Sequence, residues 1–480
     1  MMRHILDPRI QASRSLSVRV FGGQPSQEYD SEQHRVPVPE RYRTCNRLVR
    51  TEVVSLPLNR ESSEVDREGN FTSFGHPASA MQTTTAPTLA LLGGAPTFTD
   101  FLHVGRPNIG NRDRFLERVN EMLDRRWFSN DGPLVKEFES AIADYVNVKH
   151  CVAMCNATVA LEIAIRALGL KGEVILPAYT FVATAHALQW QEVTPVFADM
   201  DPLTHNIDPS CIERLITPRT SAIVGVHVWG RACDTTTLSR IADAHGLQLM
   251  FDAAHAFGCS HQGQMIGGFG ACEVFSFHAT KFLNSFEGGA IVTNDDALAA
   301  RLRLMRNLGF AGFDRVVYLG VNGKMTEVSA AMGLTSLEAI DDIIQRNREN
   351  YDAYRAGLAD VPGVNVIVYD PSERNNYQYL VVEVDASIAE LSRDELIEVL
   401  HAEHVLARKY FWPGAHQMEP YRSLQPNASL LLPETERVAA QIMVLPTGQA
   451  ANPDTVTKIC EIIRTALQHS AQVKAQLQRA

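Results

Sequence analysis

From about Asp113 onward, apolar positions recur in two alternating rhythms. Phe115 to Leu123 has helical spacing, Trp127-Phe128-Ser129-Asn130-Asp131-Gly132-Pro133 breaks it as a loop, and a second helical stretch runs to about Tyr145. Short unbroken apolar runs follow at Cys151–Met154, Glu173–Pro177, Thr194–Phe197, Ala222–Val226 and Gln248–Phe251. Helical stretches separate them, the first being Thr158 to Leu168. Runs of this kind read as strands buried on both faces, hence a mostly parallel sheet with helices on either side. Beyond Gly333 a long helical stretch, Leu334 to about Leu358, leads to strands at Val364–Val368 and Tyr379–Val384 and a helix at Arg393–Glu403. The expected class is α/β, with a large mostly parallel-sheet domain over residues 105–333. A bridging helix and a smaller C-terminal α/β domain follow over residues 334–470.

Residues 1–80 break from this pattern. They carry many Arg and no Lys, are rich in Ser, Glu and Pro, and show no sustained periodicity. They are predicted to be a disordered extension, or a non-native one if the true start is Met81. Acidic residues from Glu28 onward speak against a transit peptide, and the start lacks the apolar core of a secretory signal.

At 45% hydrophobic and 21% charged, the 480 residues have an ordinary globular composition. The net charge of −11 argues against nucleic acid as a partner but permits a local positive pocket for a small anion. No apolar run approaches the roughly 20 residues that span a bilayer, so no membrane association is expected. Eight scattered cysteines, without a metal-ligand spacing or a His cluster, predict no metal site and buried thiols in a reducing cytoplasm.

Two segments carry chemistry. In Phe251-Asp252-Ala253-Ala254-His255 an aspartate ends a buried strand; Ser276-Phe277-His278-Ala279-Thr280-Lys281 leads to Glu287-Gly288-Gly289-Ala290 and another apolar run. Strand ends in open α/β sheets are where ligands sit. Together they meet the needs of pyridoxal-5′-phosphate (PLP) chemistry. Lys281 would form an imine and shuttle protons, and Asp252 would face the pyridine nitrogen. Asn156-Ala157-Thr158, opening a helix after a strand, and Ser276 would hold the phosphate, with Phe181 stacking on the ring. Each residue alone also fits a plainer role: Asp252 a turn residue, Lys281 a surface charge, Ala157-Thr158 simple capping.

The run Ser276 to Thr293, Ser-Phe-His-Ala-Thr-Lys-(x5)-Glu-Gly-Gly-Ala-Ile-Val-Thr, closely resembles the Schiff-base signature of the DegT-type sugar aminotransferases, fold type I PLP enzymes. Asn156-Ala157-Thr158-Val159-Ala160-Leu161 is similar to that family's phosphate turn, which usually has Gly where Ala157 stands. Pro177-Ala178-Tyr179-Thr180-Phe181 resembles the ring-stacking segment. Asp199-Met200-Asp201-Pro202 with Asn206-Ile207-Asp208-Pro209 is similar to another hallmark, and Gly320 to Glu327 resembles a loop that reaches a neighbouring subunit. The likeness spans about residues 105–465. It implies His255 against the ring's 3-hydroxyl, with helix capping as the alternative, and Asn322 on the partner's PLP phosphate, hence a homodimer with shared active sites. His278 and Thr280 are expected to pack.

Ala407-Arg408-Lys409-Tyr410-Phe411-Trp412-Pro413-Gly414-Ala415-His416, with Met418-Glu419-Pro420-Tyr421, resembles the subset that acts on dTDP-linked 4-keto-6-deoxy sugars. The resemblance implies transfer of an amino group from L-glutamate to C4 of a nucleotide-linked keto sugar. Asn130, Lys324, Arg408, Tyr410 and His416 are its candidate substrate contacts, with Arg408 and Lys409 the candidates to meet the diphosphate. Core aromatics with a basic surface pair remain the other reading of this stretch. A 3-keto sugar or cyclitol ketone is the alternative substrate. A PLP sugar dehydratase would typically carry histidine in place of Lys281, and a non-catalytic PLP-binding regulator would carry a DNA-binding region.

Overall fold

The structure is a computed structural model and describes residues 89–479; the expectations for residues 1–80 lie outside them. The strands are β1 (Leu102–His103), β2 (His150–Met154), β3 (Glu173–Pro177), β4 (Thr194–Ala198), β5 (Thr220–Val226), β6 (Gln248–Asp252), β7 (Ser260–His261), β8 (Gln264–Met265), β9 (Glu273–Ser276), β10 (Gly289–Thr293), β11 (Val364–Val366), β12 (Leu380–Val384), β13 (Val405–Leu406) and β14 (Ile442–Leu445). The seven-stranded central sheet runs β2-β10-β9-β6-β5-β3-β4, and only β10 is antiparallel to its neighbours.

Strand alternation divides the core. Val152, Val174, Leu176, Val224, Met250, Val274 and Ile291 point to one face. There they meet the helices Ala157–Ala167, Ala183–Trp190 and Asp296–Arg306. Their neighbours Ala153, Phe275 and Val292 point to the other face, toward the helices Pro133–Val146 and Glu327–Glu338. Ile175, Ile223 and Phe251 meet the helix Thr235–His245 there. Every strand is thus covered on both sides, which is why the apolar runs are unbroken.

The expected bridging helix differs in detail. Helix begins at Glu327, before Gly333, and breaks at Ala339, so that Glu327–Glu338 and Ile340–Leu358 are separate helices. Asp341 and Asp342 then occupy the first turn of the second, where the helix dipole favours acids. The helix Ile340–Leu358 packs on an antiparallel sheet β11-β12-β14, of which β14 lies outside the predicted strands.

Residues 89–104, ahead of the expected start of the fold, share this smaller sheet's core through Leu89, Leu92, Phe98, Leu102 and Val104. β1 pairs in parallel with β13. The buried Glu403 carboxylate accepts the amides of Ala90 and Thr97, both at 2.7 Å.

Candidate active site

The carboxyl ends of β2, β3, β5, β6 and β9 share one edge of the central sheet, and β10, running the other way, begins there. Asp252 is the last residue of β6 and is buried. One of its oxygens accepts the Thr184 hydroxyl at 2.8 Å, the other the Ala254 amide at 3.0 Å. Thr180 supports Thr184, hydroxyl to hydroxyl, at 2.9 Å. Burial pushes the Asp252 carboxyl up, and these bonds, with the positive charge on Lys281, pull against it.

Lys281 follows β9 by five residues and is half-buried. Burial lowers its amine from the usual lysine value to about 8, against the attraction of Asp252. Its Nζ donates to the Tyr379 hydroxyl at 3.0 Å. His255 is buried, and its Nδ1 accepts the Trp229 amide at 3.3 Å. Burial first, and then the Lys281 charge, holds its imidazole well below the usual histidine range, so the ring is neutral. Its ring lies nearly parallel to those of Trp229 (5.8 Å between centroids) and Phe411 (5.5 Å), which also face each other at 5.4 Å. Here the structure gives His255 a ring contact and a backbone bond rather than a cap on a following helix.

Asn156 caps the helix Ala157–Ala167, its side chain accepting the Val159 amide at 2.9 Å. Among the described residues the amides of Ala157 and Thr158 have no protein acceptor, so they offer two donors to an anion. The backbone of β10 presses on this turn: a Cβ at Gly289 would lie 2.6 Å from the Ala157 nitrogen. Ser276 ends β9 with its side chain buried. Phe181, 57% exposed, stands beyond β3 with its ring 6.1 Å from Phe411. A buried carboxylate, a poised amine, a neutral ring, orphan amides at a helix N-terminus and an exposed aromatic face fit a phosphorylated pyridine aldehyde.

The remaining candidates are spread more widely. Tyr410 is half-buried, stacks on Phe411 at 5.4 Å and lies 6.3 Å from Tyr379. Arg408 is exposed, its guanidinium 5.4 Å from the Tyr410 ring centre. Lys409 is drawn to Asp394 at 2.8 Å. His416 is buried, with Nε2 on Glu436 at 2.8 Å and its ring near Phe197, in contact with none of the lysine cluster. Asn130 and Asn322 are exposed, and Lys324 Nζ donates to Asn307 at 3.0 Å. His278 contacts Thr280 at 2.9 Å and Glu287 at 3.5 Å. Sequence reasoning does not single out Thr184 or Trp229, and it names Tyr379 only as the start of a strand and Phe411 only within the aromatic stretch 407–416. Thr184 carried one usable signal, since it stands one turn after Thr180 and three residues after Phe181.

The family model described as the DegT/DnrJ/EryC1/StrS aminotransferase family matches residues 110–464. A dTDP-4-amino-4,6-dideoxy-D-glucose transaminase of Shigella dysenteriae is 36% identical over 364 residues, covering 76% of this chain and 98% of that protein. A GDP-perosamine synthase of Caulobacter vibrioides is 36% identical, over 67% of this chain and 87% of its own length. Among solved structures, that of DesI in the presence of its TDP-sugar product is 50% identical with a TM-score of 0.78, covering 81% of this chain and 99% of that one. The chain belongs to the DegT/DnrJ/EryC1/StrS aminotransferase family and is a PLP-dependent aminotransferase acting in amino sugar biosynthesis.

Proposed function

We propose that the chain transfers an amino group from L-glutamate to C4 of a dTDP-linked 4-keto-6-deoxy sugar, with Lys281 as the catalytic lysine. The observation that carries the reading is the pairing of an amine lowered to about 8 with a buried carboxylate at one sheet edge. The names of the relatives support the sugar: a dTDP-linked 4-amino sugar transaminase and a structure holding a TDP-sugar product.

In this reading Lys281 holds PLP covalently, Asp252 faces the ring nitrogen, and Thr184 fixes that carboxylate. The Ala157 and Thr158 amides with Ser276 take the phosphate, while His255 and Phe181 contact the ring. When bound, PLP supplies the electron sink that lets an amino group and a carbonyl oxygen change places. Lys281 Nζ, close to half deprotonated near pH 8, would take the proton from the donor's carbon and return one to the sugar's. Asp252, whose two hydrogen bonds oppose the burial that favours its neutral form, would hold its partner nitrogen protonated. Glutamate leaves as 2-oxoglutarate; the sugar leaves as an amine.

Substrate contacts are assigned to Tyr410 and Arg408, whose loop borders the lysine, with Asn130 and Lys324 supplied across a homodimer. His416, anchored on Glu436, is assigned instead to packing. The dimer reading is supported by the exposed side chains of Leu308, Phe313, Val316 and Leu319, an apolar stretch that needs cover, next to Asn322. The separate sheets support a cofactor domain over 105–333 and a smaller one over 334–470. A cytoplasmic setting suits the seven described cysteines, all unpaired.

The test is to incubate the chain with PLP, glutamate and dTDP-4-keto-6-deoxyglucose and to follow 2-oxoglutarate and the sugar product by mass spectrometry and NMR. An amine at C4 is expected. Consumption of glutamate only with a GDP-linked sugar, a 3-keto sugar or a cyclitol ketone would overturn the substrate; no exchange with any ketone would overturn the whole reading.

A further inference from the structure

Lys281 is met from outside its own sheet. Tyr379, 98 residues further along, directly precedes β12, the middle strand of the three-stranded sheet. Its hydroxyl oxygen accepts the Nζ hydrogen bond at 3.0 Å, and Nζ sits 5.5 Å from its ring centre. The ring packs against both His255, at 4.5 Å between centroids, and Trp229, at 5.2 Å.

The backbone beside Tyr379 is tied to the same site. Gln378 accepts the Phe282 amide at 3.2 Å, and Asn376 donates to the carbonyls of His255 and Phe257 at 2.9 and 3.0 Å. The hydroxyl is therefore fixed relative to the lysine from both sides. Burial keeps the phenol neutral, so it can offer its oxygen to an ammonium or its proton to a free amine.

Three other titratable groups face Nζ: Asp252 from the end of β6, His255 from the turn after it, and Tyr410 from the 408–413 loop. Asp252 spends its oxygens on Thr184 and Ala254, and His255 its Nδ1 on Trp229. Among the described residues Tyr379 is the direct hydrogen-bond partner of Nζ.

We propose that Tyr379 is a positioning residue for Lys281: its phenol oxygen holds the free amine beside Asp252 and favours the protonated form. The proposal rests on Lys281 being the cofactor lysine. It makes the smaller sheet part of the proton-handling machinery, because movement of β12 would carry the hydroxyl off the amine.

The test is trace acetylation of the full-length, cofactor-free chain with acetic anhydride across pH, reading Lys281 by mass spectrometry. The wild-type midpoint is expected near 8. Tyr379→Phe keeps the ring packing and removes only the hydroxyl, so the midpoint should fall by about one pH unit, the scale of a hydrogen bond to a charged group. Tyr379→Met, which fills the space flexibly, should fall likewise and serves if the first variant folds poorly. A midpoint within about 0.3 unit of wild type in the folded variant would overturn the proposal. Repeating the labelling with PLP present separates the two layers. Protection of Lys281 supports the underlying reading; if PLP leaves Lys281 unprotected, that reading falls, whatever the midpoints show.

Discussion

Thr184→Val removes one hydroxyl from the account without changing the shape of the side chain much. In the wild type that hydroxyl donates to Asp252 at 2.8 Å while accepting from Thr180 at 2.9 Å. A hydrogen bond to a charged group nets about 1.5–3 kcal/mol. PLP binding feels the share that keeps the carboxylate ionised and aimed at its partner nitrogen. A loss near 1.4 kcal/mol is about tenfold in Kd. The pH dependence has a fixed sign. Burial already raises the Asp252 carboxyl, so its charged form is lost first as pH falls, and removing a donor raises it further. The gap between variant and wild type should therefore widen from pH 8 toward pH 6. The assay is an absorbance titration of cofactor-free chain with PLP at both pH values, with Thr184→Ser as the variant that keeps the hydroxyl. Affinity within about twofold of wild type at both pH values, in a folded Thr184→Val protein, would refute the reasoning.

Three further outcomes are expected. Lys281→Met should stabilise the cofactor-free chain at pH 7, by about 3 kcal/mol at most, because an amine lowered to about 8 carries a burial cost below that pH. The cost fades as pH rises from about 8 toward the unfolded lysine value, so urea melts at pH 7 and pH 10 should differ in that sense; equal gains would contradict it. Gly289→Ala would drive a methyl to 2.6 Å from the Ala157 nitrogen and should weaken PLP binding at least about tenfold by displacing the phosphate turn, measured by the same absorbance titration. Glu403→Ala should cost about 3 kcal/mol in urea unfolding, since the amides of Ala90 and Thr97 lose their acceptor, and should expose residues 89–104 to protease first.

Local pattern carried the sequence reading as far as local forces act. The buried strands declared themselves because both faces of the central sheet are covered, so each strand is apolar along its whole length. Asp252 stands out because it ends such a run and Lys281 because its segment leads into one, and the resemblance supplies their order. What was hidden depends on distant pairing. Tyr379 directly precedes β12, in a different sheet from the one Lys281 follows, and the apolar run it opens gives no sign of the amine it meets. Residues 89–104 carry no local sign of belonging to the fold because what covers and bonds them lies far along the chain, as the 313- and 306-residue separations at Glu403 illustrate. The break at Ala339 falls inside an uninterrupted helical pattern, with neither Pro nor Gly to mark it.

The central claim is that Lys281 is the residue that carries PLP. Its most direct test is to load the full-length chain with PLP, reduce with sodium borohydride, digest, and locate the added pyridoxyl mass. The account predicts it on Lys281 and nowhere else at equimolar PLP, and absent from that peptide in Lys281→Ala. The mass on another lysine in the wild type, or a Lys281→Ala variant that still turns over, would contradict it.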